Sequence, residues 1–321
     1  MRPTATAREA SGSGRANATV RRRPRTGFVL SGGASLGAMQ VGMLRALYER
    51  RVVPDLLVGT SAGALNAAFV ASRPQTVETA DELATVWHEL KREEIFPFSI
   101  RAMVVGLSGR RDHLVSDHGL RQLVARHVEF PDIGEAATPL HIAAFDLNEG
   151  CEVLLSRGPT LDIITAAASI PGIFPPVQIG ARSLVDGGVV NNTPISHAVA
   201  LGAERIFVLP TREPGRAPER TRRGALARAI HGLSVLTDGR LQFDLARYSK
   251  DAELLVLPAP NALAVQPTNF GHSGQLIREA HTAARAYLAR VNPSQPRASR
   301  SRRRQRLRES PEAAHGLSHA A

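Results

Sequence analysis

The stretch Leu56-Leu57-Val58-Gly59-Thr60-Ser61-Ala62-Gly63 decides how this chain folds around a reactive group. An apolar run with strand character comes first, a turn of small residues holds a serine at its apex, and the helix-prone run 62–70 follows. This order of strand, sharp turn and helix is typical of a nucleophile elbow, which holds the serine Oγ clear of the sheet. The helix begins beneath the serine, so its unpaired N–H groups face any negative charge that forms there.

A second apolar run, Gly27-Phe28-Val29-Leu30, leads into a glycine-rich loop over 31–37, and helical spacing follows over 41–50. Later strand-like runs lie at 141–145, 205–209 and 253–257. Because these runs are almost wholly apolar, we expect a parallel sheet with both faces covered by helices. The predicted fold class is therefore α/β, with three α/β/α layers and a mostly parallel central sheet.

The net charge of +11 is confined to the two ends of the chain. Residues 1–26 carry seven Arg and one Glu, and residues 292–321 carry seven Arg and two Glu, which leaves the middle neutral. Both ends are rich in Ser, Pro, Ala and Arg, a composition typical of disordered segments. We predict a disordered basic tail over 1–26, one folded domain over 27–291 and a second disordered basic tail over 292–321. A neutral domain gives no indication of a specific nucleic-acid partner.

Composition also limits cofactors and location. Cys151 is the only cysteine, which excludes internal disulfides and a cysteine-based zinc site. The basic N-terminal segment lacks the apolar core of a secretory signal, and no run of about 20 apolar residues is present to span a bilayer. We expect a cytoplasmic protein without metal or cofactor, with peripheral membrane contact as an option. The sequence indicates no oligomeric state.

The glycine-rich loop and the elbow should lie side by side, because neighbouring parallel strands end at the same edge of a sheet. Glycines let the backbone approach a substrate and direct successive N–H groups into one concavity. The candidate oxyanion hole consists of the N–H groups of Gly32, Gly33, Ala34 and Ala62, with Ala34 contributing if its φ is negative. Each such donor is worth about 3–4 kcal/mol. The glycine-rich loop could also be a dinucleotide-binding turn, but such a turn needs an acidic residue at the end of the next strand. This chain has the elbow at that position, which argues against dinucleotide binding.

A serine nucleophile needs a base, and Asp186 in Leu184-Val185-Asp186-Gly187-Gly188 is the best-placed carboxylate. A strand-like run precedes it, and Thr193-Pro194 is typical of a helix start. Asn192 is a candidate either to orient the carboxylate or to stabilise the turn. Histidine is the usual base, and His272 is the candidate for a Ser-His-Asp triad. In α/β-hydrolases, however, the elbow usually follows several strands, whereas here it closes the first βαβ unit. This placement favours a different kind of serine hydrolase.

Four blocks in sequence order carry a resemblance to a known family. They are the glycine loop 32–37, the elbow 59–63, the block Ala168-Ser169-Ile170-Pro171-Gly172-Ile173-Phe174-Pro175-Pro176-Val177, and Asp186-Gly187-Gly188 with Asn192 and Pro194. Any one block is weak, but the four in this order are highly specific. Over about Gly27 to Tyr287 the chain resembles the bacterial branch of the patatin-like phospholipase family.

The resemblance implies lipid acyl hydrolysis by a Ser–Asp dyad without histidine. Ser61 would be the nucleophile and Asp186 the base, with the glycine-loop amides as the oxyanion hole. The family's loop usually has a third glycine and a basic residue where this chain has Ala34 and Leu36. The resemblance therefore leaves the preference for a phospholipid headgroup open.

The resemblance also implies an acyl pocket lined by Pro171, Phe174 and Pro175, in which the prolines stiffen an apolar wall.

The expected function is that of a serine lipid acyl hydrolase of the phospholipase A, lysophospholipase or esterase type, acting through an acyl-enzyme on a lipid ester substrate. Three alternatives remain: a catalytically weak lipid-binding protein of the same fold, a Ser-His-Asp esterase that uses His272, and an adaptor that acts through its Arg-rich tails. An unperturbed aspartate, with a pKa of about 3.9, is a weak base toward a hydroxyl. The dyad therefore requires partial desolvation of Asp186, which would raise that pKa.

Overall fold

The computed structural model describes residues 23–97, 113–215, 225–260 and 268–291. The predicted basic tails fall outside these ranges except for residues 23–26. There the Nη1 of Arg25 donates a hydrogen bond to the carbonyl oxygen of Leu201 at 2.7 Å, and Thr26 begins the first strand. The strand thus starts one residue before the predicted domain boundary.

The elements of the described residues alternate between strands and helices for most of the chain. The strands are β1 (Thr26–Leu30), β2 (Leu56–Gly59), β3 (Leu140–Asp146), β4 (Cys151–Leu155), β5 (Val177–Ile179), β6 (Arg182–Asp186), β7 (Arg205–Leu209) and β8 (Glu253–Val256). The helices are α1 (Ala38–Glu49), α2 (Ala62–Ala71), α3 (Val77–Glu89), α4 (Arg92–Ile95), α5 (His118–His127), α6 (Thr160–Ala168), α7 (Ile195–Ala200), α8 (Ala225–Tyr248) and α9 (Ser273–Val291). Short 3-10 turns lie at Ala34–Gly37, Ile133–Glu135, Gly187–Val189 and Phe270–His272.

All the strands belong to one sheet in the order β5-β6-β3-β2-β1-β7-β8, with β4 also paired to β3. Five neighbouring strands in this order are parallel to one another, namely β3, β2, β1, β7 and β8. The remaining pairs, β3 with β4, β3 with β6 and β5 with β6, are antiparallel. The prediction of a mostly parallel sheet is confirmed, and each predicted strand-like run forms a strand.

Alternating side chains of the central strands pack into two separate apolar clusters. Phe28 and Phe207 belong to one cluster, together with side chains of α1, α2, α3 and α9. Val29 and Val208 belong to the other, together with side chains of α7 and α8. Because successive side chains of a strand point to opposite faces, the two clusters lie on opposite faces of the sheet. The three predicted layers are therefore present.

Strand register brings the functional segments to one edge of the sheet. Leu30 pairs with Gly59, so the loop after β1 and the elbow after β2 leave the sheet side by side. Gly59 pairs in turn with Ile142 of β3, and Ala144, on the carboxyl side of Ile142, pairs with Asp186. Strand β6 runs antiparallel to β3 and ends at Asp186. Asp186 therefore lies at the same height in the sheet as the residues that directly follow Gly59.

Candidate active site

Ser61 stands at the strained corner between β2 and α2. Its backbone angles are φ 55° and ψ −127°, one of few positive φ values at non-glycine residues of the described chain. Its N–H donates a hydrogen bond to the carbonyl oxygen of Ala167 at 3.0 Å, which fixes the corner from beneath. A Cβ at Gly63 would collide with the carbonyl oxygen of Leu30, so the tight packing of α2 on β1 requires glycine there. These features are those of a nucleophile elbow, as the sequence predicts.

Asp186 lies opposite Ser61 with only 4% of its surface exposed. Its Oδ1 accepts a hydrogen bond from the backbone N–H of Gly188 at 2.8 Å. Burial raises the pKa of Asp186 to about 6, although the neighbouring Ser61 side chain and the Gly188 N–H act to lower it. Desolvation thus provides the stronger base that a Ser–Asp pair requires.

The glycine loop differs from the prediction in the use of its first amide. The N–H of Gly32 donates to the carbonyl oxygen of Asn192 at 3.0 Å, so it is not free to bind an oxyanion. The N–H groups of Gly33, Ala34 and Ala62 have no acceptor among the described residues. Ala34 and Ala62 line the same cavity as Ser61, which makes their amides the best-placed donors.

Ala34 adopts a φ of +49°, whereas its participation was expected to require a negative φ. This is the left-handed region that glycine enters without strain, and an alanine there costs about 1 kcal/mol. The residue therefore keeps the backbone conformation suited to glycine while carrying a methyl group. Its N–H remains without an acceptor in the described chain and adjoins the cavity.

Asn192 positions the glycine loop rather than the carboxylate. Its Nδ2 donates to the carbonyl oxygen of Gly32 at 3.2 Å, and the hydroxyl of Thr211 donates to the same oxygen at 2.6 Å. A Cβ at Gly32 would collide with Oδ1 of Asn192 and crowd Ser61. Asn192 makes no hydrogen bond to Asp186 in the described part of the chain. It therefore anchors the glycine loop and does not orient the carboxylate, which was one of the two roles expected for it.

A buried polar network that the sequence did not reveal holds the other end of the loop. Nδ2 of Asn66 donates to the carbonyl oxygen of Gly37 at 3.0 Å and to Oε1 of Gln40 at 2.9 Å. The indole N–H of Trp87 donates to Oδ1 of Asn66 at 2.9 Å, and Gln40 reaches the carbonyl oxygen of Ser31 at 2.7 Å. The loop is thereby fixed at both ends. No motif links these residues, because each comes from a different element.

An apolar cavity opens beside Ser61, with an empty volume of about 760 Å³ that includes its open mouth. Of the three predicted pocket residues, only Phe174 lines it. The N–H of Phe174 donates to the carbonyl oxygen of Ile170 at 3.0 Å, closing a tight turn. This turn buries Phe174 and leaves Pro171 exposed and Pro175 half-buried, so the predicted proline wall is wrong.

Aromatic side chains from four segments form one side of the cavity. Trp87 stacks on Phe270 with ring centroids 6.1 Å apart, and Phe96 lies 6.3 Å from Phe270 and 5.4 Å from Phe174. All four side chains line the cavity that contains Ser61. Sequence analysis identified only Phe174, because the others meet through long-range packing.

His272 does not lie beside Ser61, as a Ser-His-Asp triad would require. That residue ends the 3-10 turn Phe270–His272, is exposed, and is not part of the cavity wall. It makes no hydrogen bond to Ser61 or Asp186 within the described residues. His127 does line the cavity, and burial together with the charges of Arg126 and Arg73 lowers its pKa.

Two further properties concern ions and membranes. Across the ranges that the structure describes, no three His, Cys, Asp or Glu side chains form a group suited to hold a metal ion. Over the same ranges, every helix is too short or too polar to cross a bilayer.

Comparisons with known proteins connect this chain to one family of sequences. The sequence pattern of the family described as patatin-like phospholipase matches residues 28–199. An uncharacterized NTE family protein of Mycobacterium tuberculosis is 28% identical over 284 residues, which are 82% of this chain and 46% of that protein. A lysophospholipase NTE1 of Mycosarcoma maydis is 25% identical over 190 residues, 57% of this chain and 9% of that protein. The chain thus spans less than half the length of these relatives.

Among solved structures, human GIVD cytosolic phospholipase A2 in complex with methyl gamma-linolenyl fluorophosphonate is similar with a TM-score of 0.42 and 12% identity. The similarity covers 83% of this chain and 60% of that one.

Proposed function

This chain belongs to the patatin-like phospholipase family, and from that membership we propose that it is a serine lipid acyl hydrolase that cleaves carboxylic esters of lipids. The observation that carries the proposal is the pairing of Ser61, at a strained elbow, with a buried Asp186 whose pKa is raised to about 6. The apolar cavity beside this pair suits the acyl part of a lipid. The lysophospholipase names of several relatives favour a substrate with a single acyl chain.

In the first step, Asp186 accepts the Ser61 proton as Oγ attacks the ester carbonyl carbon. The carbonyl oxygen becomes an oxyanion, which the amides of Ala34 and Ala62 stabilise together with the N-terminal end of α2. The tetrahedral intermediate then collapses. The C–O bond to the alcohol breaks, and the alcohol leaves with the proton from Asp186.

In the second step, water attacks the acyl-enzyme with Asp186 again as the base. The same amides stabilise the second oxyanion, and the fatty acid is released as Ser61 regains its proton. Because the substrate resides in lipid aggregates, peripheral contact with a lipid surface is part of the proposal. The dry, apolar surroundings of the pair strengthen each of these electrostatic contacts.

The test combines a fluorophosphonate probe with p-nitrophenyl ester and lysophospholipid hydrolysis on the full chain. Wild type should be labelled and active, Ser61→Ala should lose both properties, and Asp186→Asn should lose at least 100-fold in kcat. Ser249→Ala is the matched control, because Ser249 is an exposed serine between α8 and β8 whose hydroxyl donates to the carbonyl oxygen of Ala246.

Four outcomes would contradict the proposal. Labelling that survives Ser61→Ala would place the nucleophile elsewhere. Full activity in Asp186→Asn would remove the carboxylate from the mechanism, and a loss confined to His272→Ala would favour the triad. Tight lipid binding without turnover in wild type would instead support a lipid-binding protein.

A further inference from the structure

The cavity beside Ser61 follows one face of helix α2. Ala62, Leu65, Asn66 and Phe69 line it, and they are spaced as successive positions along a single helical face. Helix α2 begins directly after Ser61. The cavity therefore leads away from the serine parallel to the helix, and the position of Phe69 measures its depth.

That depth corresponds to a chain of moderate length. From Ala62 to Phe69 an α-helix rises about 10 Å, at about 1.5 Å per residue. A saturated chain built from carbon–carbon bonds of about 1.5 Å at tetrahedral angles advances about 1.25 Å per carbon. The cavity thus has room for roughly eight carbons beyond the ester carbonyl.

Phe69 is the cavity-lining residue of α2 that is farthest from Ser61 along the helix, and Arg73 packs on its ring. The Arg73 guanidinium lies 3.9 Å from the centroid of the Phe69 ring and is not part of the cavity wall. It donates to the carbonyl oxygens of Phe69 at 3.2 Å and of His127 at 3.0 Å. It also pairs with Glu82 of α3 at 3.3 Å and with Glu129 at 2.9 Å.

These contacts join the helices that wall the far end. Phe69 belongs to α2, Glu82 to α3, and His127 ends α5. The His127 ring lies 6.3 Å from the Phe69 ring, centroid to centroid, and also lines the cavity. One arginine thus ties all three helices together at the level of Phe69 and fixes the position of its ring.

We propose that Phe69, stapled by Arg73, closes the cavity and makes it a ruler that selects acyl chains of about eight to ten carbons. This inference rests on the proposed function for its place in catalysis, because it identifies the cavity as the acyl site. Its structural content, a cavity of fixed depth for saturated chains, is measurable without turnover.

The experiment measures binding of free saturated fatty acids to full-length Ser61→Ala. Hexanoate to hexadecanoate are titrated by calorimetry below the concentrations at which they aggregate. Each buried methylene is worth about 0.8 kcal/mol, so affinity should rise about fourfold per carbon. The rise should stop near eight to ten carbons, where the chain reaches Phe69.

The chain length at which affinity stops rising is the break. Variants at Phe69 and at Leu65 should move this break in opposite directions. Adding Phe69→Ala removes a ring about 4 Å long, so the break should move to chains three to four carbons longer. Adding Leu65→Trp, one helical turn from the serine, should move it to shorter chains. Phe243→Ala is the matched control, since Phe243 is 63% exposed on α8, and it should leave the break in place. Phe69→Leu, expected to shift the break by one or two carbons, serves if Phe69→Ala does not fold.

The outcomes separate this inference from the proposed function. A fourfold gain that continues to hexadecanoate, a break that does not move in the Phe69 variants, or no fatty-acid binding at all would overturn the ruler. Ester hydrolysis by wild type together with such a result would leave the proposed function standing. A movable break in a protein that hydrolyses no ester would support the ruler and reject the hydrolase.

Discussion

Replacing Asp186 with Asn should stabilise the folded protein while it removes activity. At neutral pH the native state holds a buried carboxylate whose pKa is raised to about 6 by desolvation. An asparagine has nearly the same shape, and its side-chain oxygen can still accept the bond from Gly188. It carries no charge that burial would penalise. The base that the proposed mechanism requires thus costs the protein stability.

The size of the effect follows from the difference in pKa between the two states. The unfolded chain should titrate Asp186 near 3.9, and the folded chain near 6. The wild-type penalty is absent below the unfolded pKa, because both states are then protonated. It grows as pH rises from about 4 to about 6 and is then constant, at about 1.4 kcal/mol per unit of difference. Asp186→Asn should therefore gain about 3 kcal/mol at pH 8, about half of that at pH 5, and almost nothing at pH 3.5.

The assay is urea unfolding of wild type and Asp186→Asn at these three pH values, with circular dichroism as the signal that monitors unfolding. The difference in free energy of unfolding at each pH isolates this one group, because all other titrations are shared by the two proteins. In thermal unfolding at pH 8 the same gain should raise Tm by about 6–12 °C.

Asp132→Asn provides a control of opposite sign. Bonds from the backbone N–H groups of Gly134 and Gly158 lower the pKa of Asp132, so its charge stabilises the native state above the unfolded pKa. Its removal should destabilise the protein at pH 8, and this loss should shrink as pH falls below about 4 and through the lowered folded pKa. An Asp186→Asn difference that is negative at pH 8, or that does not change with pH, would refute the assignment of a strained, desolvated base.

Three other predictions concern the same region. In wild type, kcat/KM for a p-nitrophenyl ester should fall about tenfold per pH unit below about 6, as Asp186 becomes protonated, and stay level above it; a profile that is flat to pH 4 would exclude this base. Ala34→Gly should relieve the left-handed strain and raise the free energy of unfolding by about 1 kcal/mol in urea, and a loss would mean that the alanine is not strained. Asn66→Ala should cost about 2–3 kcal/mol in the same assay, because it leaves a buried indole N–H without an acceptor, and a change below 0.5 kcal/mol would show that water replaces the amide.

Local patterns were enough to locate the proposed nucleophile and the proposed base. A strand, a turn of small residues and a helix in direct succession define the elbow, so Ser61 is visible without any distant contact. Apolar runs of strand length predict the central strands, because a sheet covered on both faces needs no polar alternation. Asp186 could be chosen because a strand and a glycine turn frame it.

The identity of the hydrogen-bond partners could not be chosen in this way. Gly32 was expected to offer its N–H to an oxyanion, but the carbonyl oxygen of Asn192 takes it. The φ of Ala34 is set by the path of the loop between its two anchors, and the sequence gives no sign of that path. Asn192 itself lies beside Asp186 in sequence yet bonds to Gly32, a residue far along the chain.

By itself the sequence determined the α/β class, the elbow that presents Ser61 and the choice of Asp186 as its partner, because each depends on residues that are neighbours along the chain. Only the tertiary structure decided the pKa of that carboxyl group, which nearby amides have no acceptor among the described residues, and the packing of Arg73 on Phe69 beside the cavity. Desolvation, hydrogen-bond competition and cavity depth arise from helices and loops that meet only after folding, and no local pattern encodes which of them will meet.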